Sequence, residues 1–159
     1  MERTRRKLTT TSAEETRALG CRLGRLLRPG DLLAIHGELG AGKTTLCAGV
    51  GAGLEIPQRL VSPTYLLCRE YRGRHPLLHL DAYFEPRMQA LLEEGLAERL
   101  AEGPVVLVEW AEKVASWLPA ERLEIFLSGV GPRRDIVLQA RGERFLGLLG
   151  QIGGGPEHG

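Results

Sequence analysis

Apolar positions along the chain switch between helical and strand spacing, and the switches mark its elements. Leu19, Leu23, Leu26 and Leu27 recur at i, i+4, i+7 and i+8. This predicts an amphipathic helix that opens at Ser12, which has Glu15 at capping-box spacing, and ends before Pro29-Gly30. Residues 31–36 form a short, mostly apolar run after that turn pair and read as a buried strand. Leu46, Cys47 and Val50 give the buried face of a second helix, ending among Gly49, Gly51 and Gly53. Residues 66–71 and 77–80 flank the turn-rich 72–76 and predict a hairpin. Residues 88–102 place Leu91, Leu92, Leu96 and Leu100 on one side of a helix with an interior weak point at Gly95, stopped by Gly103-Pro104. Residues 105–108 are wholly apolar and mostly β-branched, as in a strand covered on both faces of a parallel sheet. A short helix over 111–118, an antiparallel strand pair at one edge (123–127 and 136–138) and a weak final helix over 143–149 complete the pattern.

The expected fold class is α/β, a mixed, mostly parallel sheet flanked by helices with an antiparallel edge. Residues 1–150 are read as one domain. Residues 1–10 form a basic, poorly ordered arm, and 151–159 a loose Gly-rich tail. By default Arg3, Arg5, Arg6 and Lys7 form a solvated arm; an RNA or partner contact is the alternative.

Between the first strand and the second helix stands Gly37-Glu38-Leu39-Gly40-Ala41-Gly42-Lys43-Thr44-Thr45, which fits the phosphate-loop pattern G-x-x-x-x-G-K-[ST]. A loop around a polyphosphate must offer backbone N–H groups with no Cβ in the way, which Gly37, Gly40 and Gly42 allow. Lys43 then opens a helix whose positive end faces the phosphates, and Thr44 offers a hydroxyl to Mg²⁺. The expected ligands are thus a polyphosphate and Mg²⁺.

Composition narrows the picture little. With 159 residues, 43% hydrophobic and 26% charged, the chain suits one globular domain. Its net charge of +1 sets up no field toward nucleic acid or membrane. No apolar run of about 18 residues and no secretory h-region is present. Cys21, Cys47 and Cys68 show no metal or redox spacing, and point to a reducing cytoplasm.

A phosphate loop also needs a carboxylate to hold Mg²⁺ or orient the nucleophile. Glu109, which ends the apolar strand, is the favoured candidate; Asp81, at the end of another strand, is the second. Asp81 equally suits a turn or helix cap, and His79 suits a structural histidine. Trp110 is placed near the site by Glu109. Arg133 and Arg134 are by default solvated, unless the edge hairpin folds over the nucleotide.

Four motifs in this order, the loop, Ser62-Pro63-Thr64-Tyr65, His79-Leu80-Asp81-Ala82-Tyr83 and Glu109-Trp110, resemble the TsaE (YjeE) family. These are small bacterial phosphate-loop ATPases of tRNA threonylcarbamoyladenosine synthesis. The resemblance spans roughly residues 12–142. It implies a P-loop NTPase fold in which Lys43 binds phosphates and Thr44 with Glu109 holds Mg²⁺. It further implies that Asp81 acts in hydrolysis or water positioning, and that Thr16 and Arg134 lie on the adenine side. Ser62, Thr64 and Tyr65 would act as a switch near the γ-phosphate, with His79 and Trp110 grouped beside them. TsaB and TsaD would be partners, with tRNA reached indirectly through that complex and no membrane involved. The family usually continues the third motif with Leu-Tyr-Arg; here Ala82 and Phe84 stand in place of the leucine and arginine.

The alternative is a small-molecule kinase of the same loop class, although no arginine-rich lid stands out within 88–102. A GTPase is disfavoured because N-K-x-D needs an asparagine and the chain has none. A pure nucleotide-binding module remains open if hydrolysis is negligible.

Overall fold

In the computed structural model, which describes residues 4–38, 40–61, 67–83 and 85–152, strands and helices largely alternate. The order is β1 (Arg5–Thr10), α1 (Ala13–Leu26), β2 (Leu32–His36), α2 (Lys43–Gly53), β3 (Cys68–Arg72), β4 (Pro76–Asp81) and α3 (Glu85–Leu91). A π-helical turn (Leu92–Leu96) leads to α4 (Ala97–Ala101), β5 (Val105–Glu109), a 3₁₀ helix (Ala111–Trp117), β6 (Arg122–Ser128), β7 (Arg134–Arg141) and α5 (Glu143–Ile152). The strands form one seven-stranded sheet ordered β1-β7-β6-β2-β5-β4-β3. The central block β6-β2-β5-β4 is parallel, and β1, β7 and β3 join it antiparallel. The expected mixed α/β sheet with a parallel centre is therefore what the chain forms.

Every residue of β5 is buried because helices cover both faces of the sheet there. On one face α1, α2 and α5 bury Leu19, Leu23, Leu46, Phe145 and Leu148 against Leu33, Ile35, Leu107 and Ile125. On the other, Met88, Leu96 and Val114 close over Ala34, Leu80, Val106 and Val108. Each such leucine or valine taken out of water contributes about 1.5–3 kcal/mol before the entropy of ordering is subtracted.

Helices α1 and α2 run in the same direction and touch through backbone. A Cβ on Gly20 would stand 2.3 Å from the Leu46 carbonyl oxygen, and one on Gly49 would stand 2.1 Å from that of Arg17. α2 ends at Gly53 as expected, with Gly49 and Gly51 inside it, and Gly49 and Gly53 let α1 pack at backbone distance. This contact fixes the start of α2, and with it the loop.

Other expectations change in detail. The basic arm is an ordered strand: β1 pairs with β7 from Arg5↔Gln139 to Thr10↔Arg134. Its register lets Leu8 pack against the core while Arg5 and Lys7 face solvent. That strand puts β7 one position in from the edge, so the 123–138 hairpin is not itself the edge. The capping box is also modified. Ser12 Oγ accepts from Glu15 N at 3.1 Å, but the Glu15 carboxylate accepts from Thr11 N at 2.6 Å, one residue earlier than the pattern expects. Gly95 has φ 134° and interrupts the expected 88–102 helix at the π-helical turn. The final helix is stronger than its short pattern suggested, with Phe145, Leu148, Leu149 and Ile152 buried. Arg144 anchors it, donating to both carboxylate oxygens of buried Asp31 (3.1 and 2.7 Å) and to Leu26 O at 2.7 Å. Residues 153–159, read as a tail, lie outside the described residues.

Candidate functional site

The four parallel strands end along one edge of the sheet, and the loop from β2 to α2 crosses that edge. Ile35 pairs with Glu109, and Glu109 with Asp81, so the two carboxylates stand side by side on adjacent strands next to the loop strand. Both are buried, at 3% exposure each. Sequence order separates them by a helical excursion; the parallel register brings them together.

Gly42 caps α2 in the left-handed region (φ 102°), where a side chain would be strained. Gly37 has a different reason: a Cβ there would meet the Leu127 carbonyl oxygen at 2.8 Å. Lys43, the first residue of α2, is only 6% exposed. Its ammonium donates to Gly37 O, and to Glu38 O at 3.2 Å, and sits 4.0 Å from the centroid of the Trp110 ring. Burial lowers its pKa, while the negative charges of Glu109, Glu112, Asp81 and Glu38 oppose that shift. Thr44 is exposed on the first turn of α2, and Thr45 is partly so. The loop is therefore ringed by carboxylates, with a cation folded back onto its own carbonyls. Leu39 lies outside the described residues.

Asp81 is held above the ordinary carboxylate range, chiefly by desolvation and further by Glu109. The Tyr83 N–H donates to Asp81 Oδ1 at 2.9 Å and opposes the rise. The side chain thus holds its own turn while standing beside Glu109. Trp110 follows Glu109 in a left-handed conformation (φ 58°), which turns its ring back over Lys43. Tyr83 meets that ring edge-on at 5.1 Å. His79, wholly buried, shares a 2.6 Å hydrogen bond between Nε2 and Glu109 Oε2.

Arg134 is partly exposed, but its guanidinium is engaged: it donates to Gly40 O at 3.0 Å and to Gly131 O at 2.5 Å. Thr16 is 2% exposed, and its hydroxyl shares a 2.6 Å hydrogen bond with that of Thr10. Thr10, the β-ladder partner of Arg134, joins these two expected nucleotide contacts. No local pattern singles out Thr10, because its strand reads as a polar arm. Ser62, Thr64 and Tyr65, the expected switch, and Phe84 lie outside the described residues.

The residues present fit a divalent cation. Thr44 at the helix start and Glu109 at the strand end supply hard oxygens, and the carboxylates around Lys43 favour positive charge. They equally fit a polyphosphate, whose N–H donors would come from the loop and the start of α2.

Comparison with known proteins gives the family. Residues 10–136 match the family described as threonylcarbamoyl adenosine biosynthesis protein TsaE. The chain is 40% identical over 142 residues to the tRNA threonylcarbamoyladenosine biosynthesis protein TsaE of Bacillus subtilis, covering 87% of this chain and 88% of that one. It is 38% identical over 141 residues to the protein of the same name from Streptomyces coelicolor, covering 81% of this chain and 93% of the relative. The fold matches the crystal structure of Bacillus subtilis YdiB with a TM-score of 0.78 and 35% identity over 93% of each chain. A sequence match over most of the chain and a shared fold carry the same conclusion: the chain belongs to the TsaE family.

Proposed function

We propose that this chain binds ATP with Mg²⁺ at the 37–45 loop and hydrolyses it as a component of tRNA threonylcarbamoyladenosine biosynthesis. TsaB and TsaD are the proposed partners, with tRNA reached through that complex and the cytoplasm as the compartment. The observation that carries the nucleotide reading is the shared register of Asp81 and Glu109 beside the loop that holds Lys43. The biosynthetic role rests on the relatives, which are named for it.

In this reading Lys43 leaves the carbonyls of Gly37 and Glu38 and takes the β- and γ-phosphate oxygens instead. The N–H groups of the loop and of the first turn of α2 hold the remaining oxygens. Mg²⁺, held by Thr44 and Glu109, would neutralise charge on the transferring phosphoryl group. Asp81 orients the attacking water; its raised pKa lets it accept a proton more readily than an exposed aspartate. Trp110 and Tyr83 cover the site and exclude water. Arg134, already bonded to the loop at Gly40, borders the nucleotide together with Thr16.

The kinase alternative gains nothing from the structure. Between β4 and β5, where a lid would stand, Arg99 is tied to Glu70 and to Glu102 rather than held over the loop. The test is a single-turnover assay with radiolabelled ATP, the chain, TsaB–TsaD and candidate small-molecule acceptors. Label appearing only as inorganic phosphate supports the proposal; label on an acceptor returns the kinase.

A further inference from the structure

Behind the proposed nucleotide site, one turn into α2, three side chains of different chemistry converge. A ligand atom from each of Cys47, His79 and Glu109 lies within 4.8 Å of the others, and all three residues are buried. Among the described residues this is the one group of three or more such side chains close enough to hold an ion. His79 sends Nε2 to Glu109, but its other nitrogen, Nδ1, is buried with no hydrogen-bond partner among the described residues. A buried polar atom without a partner carries an uncompensated desolvation cost. Cys47 has a wholly buried thiol on the α2 face that meets the sheet.

We propose that Cys47, His79 and Glu109 form a second cation site, specific for a thiolate-seeking divalent ion of the Zn²⁺ type and sharing Glu109 with the Mg²⁺·nucleotide site. The donor set decides the ion. Thiolate and imidazole select Zn²⁺ or Co²⁺, whereas Mg²⁺ takes oxygens and keeps its waters. Zinc bonds of about 2.0–2.3 Å place tetrahedral donors about 3.3–3.8 Å apart, so His79 Nε2 and Glu109 Oε2, which stand 2.6 Å apart without the ion, must open to admit it, within a cluster no wider than 4.8 Å. Three protein ligands leave a fourth position for water, as in sites that remain exchangeable.

Without an ion the thiol is held protonated. Burial raises its pKa well above the ordinary value, Glu109 adds to the rise, and Lys43 opposes it. On binding, the ion takes the place of the thiol proton, which leaves to solvent, and the sulfur forms the new metal bond. The same event replaces the Glu109–His79 hydrogen bond with a bond from Glu109 to the ion. The occupied site therefore withholds this carboxylate from Mg²⁺·ATP, and zinc acts as a competitive inhibitor of nucleotide binding. That second consequence rests on the nucleotide reading above; the cation site itself does not.

Co²⁺ is the probe, because thiolate ligation gives a charge-transfer band in the near ultraviolet that oxygen ligation does not. The full chain, reduced and metal-free, should bind one equivalent of Co²⁺ with this band, and Zn²⁺ should displace it. Cys47→Ser should abolish the band and weaken Zn²⁺ binding in equilibrium dialysis at least about tenfold, while Cys21→Ser and Cys68→Ser should keep both. Circular dichroism of Cys47→Ser checks that the variant is folded. No band in the wild type, or a band that survives Cys47→Ser, overturns the proposal. Mg²⁺·ATP should bleach the Cys47-dependent band. If the band persists under saturating Mg²⁺·ATP, the cation site stands and Glu109 loses its place in the nucleotide site, so the two readings fail separately.

Discussion

The ammonium of Lys43 stands 4.0 Å from the centre of the Trp110 ring and donates to the carbonyl oxygens of Gly37 and Glu38. A cation against an indole face contributes about 0.5–2 kcal/mol, depending on its exposure. The loop lysine is thus parked on its own backbone. Phosphate must outbid three contacts to move it, and its departure changes the surroundings of an indole.

Nucleotide binding should therefore be visible in tryptophan emission. The chain has only two tryptophans: Trp110 lies against Lys43, and Trp117 ends the 3₁₀ helix. Adding Mg²⁺·ATP should change the emission of the wild type but not of Trp110→Phe. A signal that survives in Trp110→Phe would place the nucleotide elsewhere.

Binding should also appear as stability. At 100 times Kd a ligand specific for the native state adds about 2.7 kcal/mol. For a chain of this length that is a rise in Tm of roughly 5–10 °C. Lys43→Ala should lose most of it, measured by differential scanning fluorimetry. An equal shift in the variant removes the loop from the site.

The helix contact gives a prediction independent of function. Alanine outranks glycine in a helix by about 1 kcal/mol, so Gly→Ala usually stabilises. At Gly49 the added methyl meets the Arg17 carbonyl oxygen at 2.1 Å, and α1 must move away. The overpacking penalty of about 1–3 kcal/mol outweighs the propensity gain. At Gly147 in α5 nothing lies within 4 Å, and the same change should stabilise by about 0.5–1 kcal/mol. Urea denaturation of the two variants should move in opposite directions.

These cases mark what the sequence made legible. The loop, the central strand with Glu109 at its end, and the 68–81 hairpin were readable because their signals are local: glycine spacing, an unbroken apolar run, a turn cluster. What failed to show is pairing across the chain. Nothing near residue 5 announces that β1 lies on β7, so the ordered strand looked like an arm and Thr10 went unnoticed. Gly20 and Gly49 are meaningful only once their helices touch. Cys47, His79 and Glu109 come from three elements whose convergence depends on sheet order, which one sequence does not print.

Asp81 makes stability depend on pH with a definite sign. Its carboxyl is raised by desolvation, so the folded state holds the proton more tightly than the unfolded chain. Between the ordinary carboxylate pKa, about 3.9, and its raised value, the native state binds more protons, and stability falls as pH rises. Asp81→Asn removes the titration and keeps an oxygen for the Tyr83 N–H. The variant should be more stable than the wild type near neutral pH, and the gap should close toward about pH 4. A gap that is constant with pH would mean that Asp81 ionises without penalty.

The last prediction concerns why such a site needs company. Phosphoryl transfer develops charge that a well-placed arginine stabilises by roughly 10³–10⁵ in rate. Lys43 supplies one cation. Arg134 is beside the loop, but its guanidinium is committed to the carbonyls of Gly40, Gly131 and Arg133, and Phe84 replaces the arginine usual in the family's third motif. The isolated chain should bind ATP well and hydrolyse it slowly. TsaB–TsaD should raise steady-state phosphate release by at least about tenfold, either by lending a cation or by freeing Arg134. Asp81→Ala should bind ATP nearly as the wild type does yet lose that gain, since only the water is misplaced. Glu109→Gln should instead weaken the Mg²⁺ dependence of binding itself. Arg134→Ala separates the two routes: if the partner works by freeing Arg134, stimulation disappears in the variant, and if it lends its own cation, stimulation persists. Rapid hydrolysis by the chain alone, unchanged by TsaB–TsaD, would sink the partner-dependent reading, because the charge needed in the transition state would then already be in place.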